Sequence, residues 1–358
     1  MLKLKRRDLI VATLSALVVA AWFAGQPAAQ GNKDSAVSGG QQTLKGWKKG
    51  RGFGWVWGKD DEVGALNALD ESKTLDALKL ATTGKVYDLG ITYSRNSFKW
   101  PGHSPGEIMT FRSPPGETSQ KDQPFLKEDV NPSLTRWHSC ALFINDNVAT
   151  QIDGLAHIVV GKDHHWYNGF KEADWGGDFG VRKCDATTIP PVVARAVMLD
   201  IAGLKKVRHL PAHYGITPED VNAALTAQDV KLQAGDVVLF RTGTLSLWGN
   251  DGADHNIIGE ADSAGITLET AKYLVEQFGS IMVGSDTSGL EVAPAPKGAH
   301  SFIPVHKYLL VEQGVHIAEF HYLEDLAREK VYEFCYVGVT NKIKGSTAGF
   351  TMRPIAIR

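Results

Sequence analysis

The sequence predicts an α/β or α+β protein organised on a mixed sheet. Short apolar runs ending in polar residues recur along it: Ala196-Val-Met-Leu-Asp200, Asp236-Val-Val-Leu-Phe-Arg241, Ile281-Met-Val-Gly-Ser-Asp286 and Val315-His-Ile-Ala-Glu319. Near the C-terminus, Tyr332-Glu-Phe-Cys-Tyr-Val-Gly-Val339 reads as one more strand lining a core. Helical signals are few and do not alternate with the strands as regular βαβ units, which disfavours a Rossmann core. Neither G-x-G-x-x-G nor G-x-x-x-x-G-K-[ST] is present, so the main reasons to expect a nucleotide are missing.

Three helices are legible. Ser72 to Thr82 places apolar residues at helical spacing, with Ser72 as the expected cap. Thr217-Pro-Glu-Asp220 sets a cap, a first-turn Pro and two acids ahead of a helix reaching Gln228. Thr267 to Phe278 has Glu269 near its start and Gly279 just beyond its end. From Trp47 onward there is no internal repeat and no second linker, so residues 46–358 are expected to form a single domain.

Composition narrows the function classes. The 358 residues are 43% hydrophobic and 22% charged, a globular profile with ample material for a core. Lys+Arg is 38 against Asp+Glu 40, with no dense basic stripe, which argues against nucleic acid as a partner. Cys140, Cys184 and Cys335 are widely spaced and lack any C-x-x-C, so neither a disulfide framework nor a zinc knuckle is expected, although two of them could pair. None adjoins a histidine or a clear helix start, and no G-x-S-x-G occurs, leaving thiolate and serine nucleophiles unsupported.

Residues 1–30 read as an address. Lys3, Lys5, Arg6 and Arg7 precede an apolar run from Leu9 to Ala24, and small residues follow in Gln26-Pro-Ala-Ala-Gln30. This is the three-part build of an export signal, with an uncleaved anchor helix as the alternative. Arg6-Arg7 followed by Asp8-Leu9-Ile10 resembles the bacterial twin-arginine signal, which implies a periplasmic product with no stable membrane span in its mature form. Residues 31–45, rich in Gly, Ser, Gln and Asn, read as a flexible lead-in.

The chemistry-bearing residues fall in two groups. In Ala149-Thr-Gln-Ile-Asp-Gly-Leu-Ala-His157, the spacings of Gln151, Asp153 and His157 would put all three on one face of an extended strand. Carboxylate and imidazole suit a divalent metal and an amide oxygen is a weaker ligand, while the alternative is a hydrogen-bonded polar strand edge. Far along the chain lie His306, in Pro304-Val-His306, and Glu319, a carboxylate amid Ile317, Ala318 and Phe320 that needs a partner if buried. His316 and His321 read as surface or satisfied histidines.

The stretch Thr150-Gln-Ile-Asp-Gly-Leu-Ala-His157 resembles the H-x-G-T-H-x-D-x-P-x-H signature of the bacterial kynurenine formamidase-like "putative cyclase" family. Further blocks resemble its longer members in the same order: Trp57-Gly-Lys-Asp-Asp-Glu-Val-Gly-Ala-Leu-Asn67, Trp166-Tyr-Asn-Gly-Phe170, Gly235-Asp-Val-Val-Leu-Phe-Arg-Thr-Gly243, Val283-Gly-Ser-Asp-Thr287, Phe302-Ile-Pro-Val-His306 and Leu309-Leu-Val-Glu-Gln-Gly314. The resemblance implies a swivelling β/β/α fold and a metal-dependent hydrolase of non-peptide C–N bonds, arylformamidase-like, cleaving amides or lactams. It also implies a homodimer and a small-molecule substrate.

Carried over residue by residue, it implies Asp153, His306 and Glu319 as metal ligands and His157 as the group that gives and takes the proton. The signature's two leading histidines fall on Asn147 and Gln151, its glycine on Ala149 and its proline on Leu155. With Gln151 as an assisting ligand, amides in place of imidazoles favour Mn²⁺ or Mg²⁺ over Zn²⁺. The expected cofactor is thus a divalent ion, Mn or Zn, and His138 is a candidate replacement ligand. The competing expectation is a non-catalytic periplasmic binding or scaffold protein of the same fold. An oxidoreductase has no cofactor motif to support it. Trp55, Trp57 and Trp166 are candidate pocket aromatics.

Overall fold

Strands buried on both faces read as unbroken apolar runs, and such runs form the middle of the sheet. The computed structural model describes residues 56–358. Its strands, in chain order, are β1 (Val86–Asp88), β2 (Gly106–Arg112), β3 (Ser139–Ile144), β4 (Gln151–Asp153), β5 (Val192–Asp200), β6 (Gly215–Ile216), β7 (Val237–Arg241), β8 (Gly265–Ile266), β9 (Met282–Ser285), β10 (His316–Glu319), β11 (Glu333–Gly338), β12 (Ala348–Thr351) and β13 (Ile355–Ile357). Nine of them make one mixed sheet in the order β1-β13-β11-β5-β7-β9-β10-β4-β12. The four central strands β5, β7, β9 and β10 are mutually parallel. Antiparallel strands flank them, β11, β13 and β1 on one side, β4 and β12 on the other. The expected mixed α/β architecture is therefore present. β2 and β3 form a separate hairpin that carries exposed Met109, Phe111, Leu142 and Phe143.

The helices form where the capping chemistry allows. Thr217 accepts from the Asp220 N–H while Asp220 reaches back to the Thr217 N–H, and this capping box opens Pro218–Gln228. The first helix, Glu71–Leu78, starts earlier than its sequence signal: Asp70 caps it, accepting from the Lys73 N–H at 2.8 Å, and Ser72 lies inside the first turn. Leu268–Tyr273 and Pro304–His306 each continue as a π-helical segment, Leu274–Phe278 and Lys307–Gln313, and each segment ends at a left-handed glycine, Gly279 or Gly314.

Several family-like blocks turn out to be braces. Asp286, at the end of β9, is fully buried and accepts from the Thr242 N–H and hydroxyl and from the Gly243 N–H, all within 2.7–2.8 Å. Burial pushes its carboxyl up to about 6 against the pull of the Thr242 donors. The brace needs Gly243 at φ 86°, where a Cβ would meet the Arg208 carbonyl oxygen at 2.2 Å. Gly243→Ala is expected to destabilise the fold by at least about 1–2 kcal/mol, read as a lower urea midpoint with an unchanged m-value. Similarly, the Tyr167 hydroxyl donates to Asp61 at 2.6 Å, and the Ala65 N–H donates to the Gly314 carbonyl at 2.7 Å. Three segments far apart in sequence are thereby tied together, one of them at Gly314 just before β10.

Other expectations are corrected. His157 is not on the strand face of Gln151 and Asp153. β4 ends at Asp153, and the chain turns through Gly154 so that the His157 N–H donates to the Gly154 carbonyl at 3.1 Å. All three cysteines are free. Trp166 is a fully buried core residue, and Trp55 lies outside the described residues, as do residues 1–30 and 31–45, where an export signal and a lead-in are expected. No helix among the described residues is long and apolar enough to cross a membrane.

Candidate metal centre

Two short strands set the floor of the site. β4 pairs antiparallel with β10 so that Gln151 faces Glu319 directly and Asp153 faces Ile317. Directly opposed residues share a face, and so do residues two apart on one strand. Gln151, Asp153 and Glu319 thus converge, and the Gln151 amide donates to Glu319 Oε2 at 2.8 Å.

The third group comes from a helix start. Pro304 sits at the first helical position, and the freed N–H groups of Val305 and His306 donate to the Glu291 carboxylate at 3.1 and 3.0 Å. The same carboxylate accepts from His306 Nδ1 at 2.5 Å, which leaves Nε2 to face 3.6 Å from Asp153 Oδ2 and 3.4 Å from Glu319 Oε1. This is how a carboxylate behind a ligating histidine fixes its tautomer and aim. Asp153, His306 and Glu319 are all buried, and each offers a ligand atom within 4.8 Å of the others.

The electrostatics call for positive charge. Burial, then the Asp153 carboxylate, pushes Glu319 up to about 8. Burial alone would lower His306, but hydrogen bonds with Glu291 and Glu319 outweigh it and hold the imidazole well above its ordinary range. Asp153 Oδ2 and Gln151 Oε1 are buried without any hydrogen-bond partner. Orphaned oxygens of this kind are costly unless something satisfies them. Oxygen donors, one aimed imidazole and excess negative charge together fit a divalent cation.

Above this floor lies a cavity of about 740 Å³ lined by His103, His157, Asp262, His306 and Glu319, with Trp100 and Phe302 as its aromatic walls. Asp262 is buried, accepts from the Ser288 N–H at 2.7 Å and from the Ser288 hydroxyl, and gains a further hydrogen bond from the Trp100 indole. His157 is half-buried on this cavity. His138 is exposed and does not line it. Of the two remaining late histidines, His321 is buried and bonded to the Tyr336 hydroxyl, and His316 is buried with its Nδ1 unpartnered, so neither is at the surface.

Sequence reasoning missed Glu291, Asp262, His103 and Trp100. Asp262 caps the end of the short helix His255–Ala261 and Glu291 sits on an isolated bridge to Ile266, and no periodicity marks either. Trp100-Pro-Gly-His103 did carry a turn signal in Pro101-Gly102.

The sequence model of a family described as "Putative cyclase" matches residues 87–292, more than half of the chain. No curated protein matches. Among solved structures, one described as a novel cyclase is 28% identical, with a TM-score of 0.70, covering 84% of this chain and 96% of its own. Isatin hydrolase A from Ralstonia solanacearum has the same fold at 19% identity, with a TM-score of 0.54, covering 81% of this chain and 97% of its own. An isatin hydrolase bound to the product analogue thioisatinate is 16% identical, with a TM-score of 0.54, covering 80% and 98%. With the family's sequence pattern matched over most of the sheet and a cyclase fold shared across nearly the whole described chain, this protein belongs to the "Putative cyclase" family.

Proposed function

We propose that this chain is a periplasmic metal-dependent hydrolase of an amide, lactam or lactone, arylformamidase-like in its chemistry. The observation that carries the reading is the buried Asp153–His306–Glu319 cluster, with two orphaned oxygens beside it, at the floor of a largely apolar cavity. Asp153, His306 and Glu319 would hold the ion, with Gln151 Oε1 able to assist. A divalent ion there would acidify a water and polarise the substrate carbonyl. His157, on the cavity wall, takes the water's proton and returns it to the leaving group. The isatin hydrolases that share the fold lend support to a lactam among the substrates.

The test is hydrolysis of aryl formamides, small lactams and lactones by protein loaded with Mn²⁺ or Zn²⁺, alongside elemental analysis. Metal-dependent turnover of at least one class is expected; inert protein with every metal contradicts the reading. One observation favours a non-catalytic binding protein instead. Asn147 and Gln151 spend their amide N–H groups on Asp153 and Glu319 at 2.9 and 2.8 Å, satisfying one acceptor on each carboxylate without an ion. A protein that binds apolar compounds but shows no metal-dependent rise in melting temperature would support that alternative.

Export by the twin-arginine route rests on Arg6-Arg7 and the apolar run behind them. Replacing both by lysine is expected to retain the precursor in the cytoplasm, seen by fractionation, and unchanged export contradicts that route. A homodimer is supported by the exposed apolar side chains of the β2–β3 hairpin. Sedimentation equilibrium at twice the mass of the exported chain is the expected result, and a monomer contradicts it.

A further inference from the structure

Besides His157 and the cluster's His306, the cavity holds a third imidazole that the proposed proton path does not use. The segment Trp100-Pro-Gly-His103 is a β-turn: the His103 N–H donates to the Trp100 carbonyl at 2.9 Å, Pro101 occupies the second position and Gly102 the third, at φ 101°. Pro followed by a residue with positive φ is the chemistry of a type II turn. Both ends of this turn face the cavity. At one end the Trp100 indole is tied to the buried Asp262 carboxylate. At the other, half-buried His103 hydrogen-bonds the main chain of Asn147 and lies beside His157.

The position of Asn147 is informative. Its side chain donates to Asp153 Oδ1, one of the cluster's carboxylates, while its main chain holds His103. His103 does not belong to the set of ligand atoms lying within 4.8 Å of one another, so it faces the reaction space above the cluster.

We propose that His103 is a second catalytic acid–base group of this site, sharing the proton path with His157. The inference rests on the hydrolase reading and revises its proton path: capture of the water's proton passes from His157 to His103, and His157 keeps delivery to the leaving atom. In the neutral imidazole of His103 one ring nitrogen carries the hydrogen and the other is an acceptor. In the hydrolysis step, a water O–H bond breaks, its proton goes to that nitrogen, and its oxygen bonds the substrate carbonyl carbon. The carbonyl-to-leaving-atom bond then breaks, the electron pair stays on the leaving atom, and that atom takes a proton from protonated His157. Transfer of the captured proton from His103 to His157 restores both imidazoles, so no charge accumulates over the cycle. Burial, and then the neighbouring His157, hold His103 below its ordinary range, which keeps it ready to accept. Dividing capture and delivery between two imidazoles spares a single ring from reaching both the water and the leaving atom.

The test compares His103→Gln with wild type, both metal-loaded, in kcat and in the metal-dependent rise in melting temperature. The expected result is a kcat lower by roughly 10²-fold or more with the metal response unchanged. Gly102→Ala, where a Cβ meets nothing within 4 Å but φ is 101°, strains the turn and is expected to cut kcat by displacing the imidazole without removing it. A readout without turnover accompanies these: in His157→Asn, the NMR titration midpoint of His103 is expected to rise. A His103→Gln enzyme with kcat within about threefold of wild type overturns the proposal, as does one that loses its metal response. An unmoved His103 midpoint overturns the pairing. If wild type itself turns over no substrate, the hydrolase reading fails first, and the titration still decides whether the two imidazoles interact.

Discussion

His157→Asn is expected to lower kcat by roughly 10²–10⁴-fold, the usual range for a positioned acid–base group, with metal uptake and folding intact. His157 lies outside β4, on the turn that follows Asp153, and lines the cavity above the cluster rather than joining it. Glu319→Gln gives the opposite pattern, because it removes one of two charged carboxylates around His306 Nε2 and weakens the hold on the ion. Its activity should recover partly at high metal concentration. Elemental analysis and kcat as a function of added Mn²⁺ separate the two. A His157→Asn protein that loses its metal and is rescued by excess Mn²⁺ would show that His157 is a ligand.

A second large effect is expected at Glu291, which touches none of the proposed reacting atoms. Glu291→Ala leaves the N–H groups of Val305 and His306 and the Nδ1 of His306 without their acceptor in a buried setting. Each buried donor left unpaired costs about 1–3 kcal/mol, so a substantial drop in the urea midpoint follows. Freed from Glu291, the His306 ring can also rotate or change tautomer, and metal affinity should fall roughly 10–100-fold. Glu291→Gln, which keeps an acceptor oxygen, is expected to restore most of the stability but less of the affinity. A Glu291→Ala protein as stable and as metal-avid as wild type contradicts the positioning role.

The elements legible in the sequence were those fixed by local physics. The apolar runs at 196–200, 236–241 and 281–286 became central parallel strands because burial on both faces needs no polar alternation. The Thr217 capping box marked its helix because the donors it satisfies lie within three residues. Asp153 and His306 lie in family-like blocks and Glu319 stands out as a carboxylate amid apolar neighbours, and the cross-strand register is what brings Asp153 and Glu319 together. What stayed hidden depends on long-range geometry. That Glu291 orients His306 follows from where a loop passes a helix start, and no spacing encodes it. His157 was misplaced on a strand face because the strand stops at Asp153, four residues earlier. The candidate replacement ligand His138 is exposed and off the cavity, whereas His103, on a turn more than forty residues before Asn147, lines it.

The central claim, that Asp153, His306 and Glu319 hold a divalent ion, is tested most directly by thermal unfolding of wild type and Asp153→Ala across a titration of Mn²⁺ and Zn²⁺. An ion that binds only the folded state adds about 2.7 kcal/mol of stability at a concentration a hundred times its dissociation constant. Wild type should therefore melt at progressively higher temperature as metal is added, and Asp153→Ala should not respond. A wild type indifferent to both metals, or an Asp153→Ala protein that rises in parallel with it, would contradict the account.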